Sequence, residues 1–179
     1  GEPILAAIVH DGQTILFGGP TALFKIVGNP NSSGLQRVAG PGPLMHNAWC
    51  RADDGATYMV TPRGLYRIPP GVGIPQPVSK NIPDEMIGLN PYIGDRATVA
   101  YDGRWNMLTI IIYHHSAGLS YFCYKLPEPE QGYPGGFFPM DFSEDIESAV
   151  YFPEVQTADA SSVVLASGSG TAYQYDRTD

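Results

Sequence analysis

The stretch Thr98-Val99-Ala100-Tyr101, Asp102-Gly103, Met107-Leu108-Thr109-Ile110-Ile111-Ile112-Tyr113, Gly118, Ser120-Tyr121-Phe122-Cys123-Tyr124 decides the fold. It holds three β-rich runs separated by an Asp-Gly turn and a glycine turn, the pattern of an antiparallel meander. The same order occurs three more times. Upstream are Ile4–Val9, Asp11-Gly12, Thr14–Phe17, Gly18-Gly19 and Ala22–Ile26, then Ala48–Cys50, Asp54-Gly55, Thr57–Val60, Gly64 and Leu65–Ile68. Downstream are Val155–Thr157, Asp159-Ala160, Ser162–Leu165, Gly168-Ser169-Gly170 and Ala172–Tyr175. The turn aspartates Asp11, Asp54, Asp102 and Asp159 lie 43, 48 and 57 residues apart. A period of about 40–50 residues with three or four strands per unit marks a β-propeller blade. The sequence therefore predicts an all-β fold, a β-propeller with four visible blade-like repeats at about 4–28, 47–70, 97–126 and 150–176. Residues 1–179 form one propeller domain, or a segment of a larger propeller.

Composition agrees with many short strands. Gly 21 and Pro 17 supply turns, while 43% hydrophobic residues exclude a disordered chain. The net charge of −8, with ten Lys and Arg scattered, opposes a phosphate backbone, so direct nucleic-acid binding is not expected. No apolar stretch reaches the length of a membrane span, and no signal peptide opens the chain. The chain begins at Gly1 without an initiating Met, so a longer native protein is expected.

Helix signals are sparse. Only Asp141–Val150, with Ser143 as an N-cap, tolerates one helical turn, and it reads as that or as a loop. The proline-rich segments 68–77 and 126–136 read as long rim loops, because proline cannot donate to a sheet ladder. Segments 69–77 and 127–138 are the expected contact loops.

Two stretches resemble β-propeller proteins of tailed bacteriophages, the packaged-DNA stabilisation or head-completion proteins and related tail proteins. They are Ile15–Gly28 and Asn47–Arg67, with Pro75–Pro83 similar to the segment closing the second blade; together they cover about 70 of 179 residues. The resemblance implies a non-enzymatic virion structural or head–tail adaptor protein. Its partners would be other virion proteins or identical subunits, in the virion or in the bacterial cytoplasm during assembly. Asp53-Asp54-Gly55-Ala56-Thr57-Tyr58 also resembles the Asp-box hairpin of sialidases, with Arg51 at the Ser position; that box is structural there and implies no catalysis.

No catalytic residue, metal site or cofactor is expected. His114-His115 are adjacent in a strand and point to opposite faces, so they do not chelate one ion. His10 and His46 precede a turn and a strand. Asp141, Glu144, Asp145 and Glu147 lack EF-hand spacing and read as a solvated face. Cys50 and Cys123 lie in strands, without a CxxC partner, and read as two small buried thiols. Most tyrosines fall in strands and pack between blades. Tyr133, Phe137 and Phe138, beside Gly135-Gly136, are the candidate rim contacts for a protein partner or a glycan. The alternative function is therefore a carbohydrate-binding or carbohydrate-processing bacterial β-propeller, placed outside the cell.

Overall fold

The computed structural model describes residues 3–29, 31–71, 73–78, 81–152 and 162–175. Among the described residues, fifteen strands make four antiparallel sheets, each a simple meander in chain order. The first sheet holds β1 (Ala6–Val9), β2 (Thr14–Gly18), β3 (Leu23–Val27) and β4 (Gln36–Val38). The second holds β5 (Trp49–Arg51), β6 (Thr57–Thr61), β7 (Gly64–Ile68) and β8 (Gln76–Pro77). The third holds β9 (Arg96–Asp102), β10 (Met107–His114), β11 (Gly118–Lys125) and β12 (Gly136–Met140). The fourth holds β13 (Ile146–Phe152), β14 (Ser162–Ser167) and β15 (Ala172–Tyr175). Among the described residues the only helical turns are short 3-10 turns at Asp84–Met86, Pro91–Ile93 and Pro129–Gln131.

The repeated aspartates work alike. Asp11 Oδ1 accepts the Gln13 amide at 2.8 Å, Asp54 Oδ1 that of Ala56 at 2.9 Å, and Asp102 Oδ1 that of Arg104 at 3.0 Å. Each closes the first hairpin by an Asx turn, which explains why the residue recurs. Asp159 lies outside the described residues.

Burial shows how the sheets are ordered in space. Every residue of β6, and Met107–Ile112 of β10, is buried, so the second and third sheets are covered on both faces. In β1 the pattern alternates buried and exposed, and β2 follows it with partly buried positions, so the first sheet is covered on one face only. Three apolar clusters join the sheets in sequence. Ile8, Leu16, Leu23 and Val38 meet Met59 and Ile68. Tyr58, Val60 and Leu65 meet Val99, Leu108, Ile110 and Phe122. Ala100 and Ile111 meet Ile146, Ala149, Val163 and Leu165. Within this row β9 neighbours both β5 and β13, so the first strands of the second, third and fourth sheets lie side by side. No cluster of the described residues joins the fourth sheet to the first.

His10 ties the first two sheets. Its Nε2 lies 3.0 Å from the Pro69 carbonyl and its Nδ1 2.9 Å from Thr57 Oγ1. A carbonyl only accepts, so Nε2 carries the proton and Nδ1 accepts from the threonine hydroxyl. The ring is fully buried, a structural histidine.

Three expectations are corrected. Residues 146–150 are strand, not helical turn or loop: Ala149 sits opposite Leu165 and Val150 opposite Val164, and sheet pairing overrides a weak capping signal. The first strand of the fourth unit is thus β13; Val155–Thr157 lies outside the described residues. The first three units also carry a fourth strand each. Two come from the segments read as loops, since Gln76–Pro77 and Gly136–Met140 are edge strands, where a missing amide hydrogen is harmless. Both cysteines are free thiols, but Cys50 is half-buried where Cys123 is buried.

Candidate functional site

The third and fourth sheets meet through Ala100, Ile111, Ile146, Ala149, Val163 and Leu165. Leu119 and Tyr121 of β11 pack against this cluster as well, whereas β12 stands across open space from β14 and β15. The result is a cavity of about 1080 Å³. Phe138 and Met140 of β12 line one side, and Leu165 of β14 and Tyr173 of β15 the other. Phe142 closes one end and the loop bearing Glu128 and Tyr133 the other.

Strand parity decides which candidate aromatics enter it. Tyr124 pairs with Phe137 and Cys123 with Phe138, so the two phenylalanines stand on opposite faces. Phe137 packs against Tyr124 on the side of the second sheet, ring centroids 4.7 Å apart at 52°. Phe138 turns to the cavity and is 50% exposed. Tyr133 joins Phe138 there, and Phe137 does not. The loop reaches this position through Gly135, at φ +85, where an added Cβ would lie 2.7 Å from the Tyr124 hydroxyl.

Several polar groups around the cavity are already engaged. Lys125 Nζ donates to the Trp105 carbonyl at 2.7 Å and pairs with Glu128. That hydrogen bond holds the Glu128 carboxyl below its ordinary value. The Tyr173 hydroxyl donates to Glu144, which pushes the phenol up. Tyr121 stacks edge-on against Phe142 at 4.9 Å and 89°, and its hydroxyl accepts the Ile146 amide at 3.0 Å. Burial raises the Tyr121 phenol, with the nearby acidic residues adding to it.

The acidic run divides. Asp141 and Glu144 line this cavity, whereas Asp145 and Glu147 border a shallower depression with Glu144, Ser167 and Ser169. All four acids are exposed. Among the described residues no three of His, Cys, Asp and Glu are placed to hold a metal ion. His114 ends β10 and His115 begins the turn: the Ser116 hydroxyl meets His114 Nδ1 at 2.8 Å, His114 Nδ1 lies 3.9 Å from Asp95 Oδ1, and the His115 amide donates to that oxygen at 2.8 Å. Asp95 is a residue the motif search missed. Burial would raise its carboxyl, but the amides of His115 and Asn90 outweigh that and hold it low.

A second feature is the outer face of the first sheet. Ala7, Phe17, Phe24 and Arg37 stand opposite one another in one row, and Val9, Ile15 and Ile26 in the next. Arg37 alone is charged, Val9 is 61% exposed, and none of these residues belongs to a core cluster. At the other end of the row, Val150 and Val164 face outward together and Val150 is 48% exposed. No helix among the described residues is long and apolar enough to cross a membrane. No protein-family model matches the chain, and no curated protein matches it.

Proposed function

We propose that the four sheets are consecutive blades of a β-propeller and that the chain is a non-enzymatic structural protein, of the tailed-phage virion type, acting through protein contacts. The observation that carries this reading is the outer faces of the first and fourth sheets, whose apolar residues join no core cluster among the described residues. The face carrying Val9, Ile15, Phe17, Phe24 and Ile26 is apolar, and no cluster of the described residues packs on it. Repeating the packing already made three times would set the fourth sheet of one copy against the first sheet of the next, the head-to-tail contact that closes rings.

Native mass by light scattering tests the reading. The expected result is one discrete oligomer that Ile15→Glu or Val150→Glu converts to monomer. A strict monomer at every concentration overturns it. Glycan binding is the second reading, favoured by the half-exposed Phe138 ring beside Asp141 and Glu144. Saturable glycan binding lost in Phe138→Ala would replace the first reading with this one.

A further inference from the structure

Asp-Gly pairs close the first hairpins of the first three sheets, and their surroundings differ. In such a pair the glycine nitrogen can attack the aspartate Cγ, because glycine has no Cβ to shield it. The Asx turn favours this, since it folds the carboxyl back over the peptide groups that follow. Asp54 is restrained: its Oδ2 takes the Arg67 guanidinium at 2.8 Å, and the Gly55 amide donates to the Ala52 carbonyl at 3.0 Å. Asp102 is restrained in another way. It is buried, its backbone is held in the sheet opposite Met107, and its carboxyl takes the Arg104 amide at 3.0 Å. Asp11 has neither restraint. The pairing of β1 with β2 ends at Val9 and Ile15, Gly12 and Gln13 are exposed, and the Gly12 amide donates to no described residue. We propose that Asp11-Gly12 is a self-modification site, at which aspartate isomerises to isoaspartate through a cyclic imide and so loosens the join between the first two sheets.

The Gly12 nitrogen bonds to Asp11 Cγ, and one carboxyl oxygen leaves as water, carrying the amide proton and one proton from solvent. Water then opens the imide. Opening at Cγ restores aspartate, whereas opening at the α-carbonyl leaves the main chain running through Cγ, with a free α-carboxylate. One water leaves and one returns, and nothing is oxidised or reduced. A carboxylate is a poor electrophile, so the reaction is slow at neutral pH and accumulates with the age of the molecule. The isomer lengthens the turn by one backbone carbon and removes the carboxyl that accepts the Gln13 amide at 2.8 Å. The effect reaches His10, whose amide donates to the Thr14 carbonyl at 3.0 Å across this turn. The His10 ring bridges Thr57 and the Pro69 carbonyl, so a displaced turn pulls it from the partners that tie the first sheet to the second. This site is independent of the protein-contact reading and of ring closure.

The test incubates the full chain in warm neutral buffer made with heavy-oxygen water, in which each imide opening writes one label into the residue. Peptide mapping by mass spectrometry reads the label at every Asp-Gly pair, and isoaspartyl methyltransferase identifies the isomer. In the folded protein Asp11 should label about tenfold or more faster than Asp54 and Asp102, and in urea the rates should converge. Gly12→Ala should slow labelling at Asp11 by a similar factor. It should not lower the unfolding temperature, because Gly12 has no positive φ and a Cβ there meets nothing within 4 Å. The isomerised fraction, separated by ion exchange, should unfold at a lower temperature than the parent. Labelling of Asp54 or Asp102 as fast as Asp11 in the folded protein overturns the proposal. So does an isomerised fraction that unfolds together with the parent, and neither result needs a variant to fold.

Discussion

Phe137 and Phe138 are chemically identical neighbours, and the register of β12 assigns them opposite work. Phe137 is partly buried in the cluster between the second and third sheets and stacks on Tyr124, while Phe138 is 50% exposed. A fully buried Phe→Ala costs about 3–5 kcal/mol. Scaling for partial burial and keeping an aromatic-pair contribution of about 1 kcal/mol puts Phe137→Ala at about 2–3 kcal/mol. Phe138→Ala removes a side chain already half in water, for about 1 kcal/mol or less. At roughly 2–4 °C per kcal/mol for a domain of this size, the unfolding temperature falls by about 5–10 °C in the first variant and about 2–4 °C or less in the second. Thermal unfolding followed by circular dichroism, with urea titration as a check on the slope, measures both. Equal destabilisation, or a larger loss for Phe138→Ala, refutes the register, because a slip of one residue exchanges the two faces.

Three further outcomes follow from particular groups. His10→Ala leaves the buried Thr57 hydroxyl without its acceptor and should cost about 2 kcal/mol; a double-mutant cycle with Thr57→Val should show coupling of about 1 kcal/mol. Thr109 Oγ1 is buried with no hydrogen-bond partner, so Thr109→Val should raise stability by about 1 kcal/mol in urea unfolding. Asp95 has a folded-state pKa below the unfolded value of about 3.9, so its contribution is full above that pH and disappears as pH falls through the folded value. Asp95→Asn should therefore flatten the acid limb of a stability-versus-pH curve and leave its shape above pH 6 unchanged, as urea midpoints across that range would show.

The meander was legible because each unit repeats turn chemistry. Asp11, Asp54 and Asp102 each accept the amide two residues on, a local interaction that needs no knowledge of the rest of the chain. The continuous run Thr109–Ile112 announced a strand covered on both faces, and β10 is one. The fourth strands were not legible. Gln36–Val38 and Gln76–Pro77 are short, polar edges whose pairing is set by the strand beside them, not by their own propensity. β13 was missed for a related reason, since Asp141–Asp145 gave a false capping signal just ahead of it. The three candidate aromatics lie close together in the chain. Separating Phe138 from Phe137 needed the register with β11, a tertiary fact.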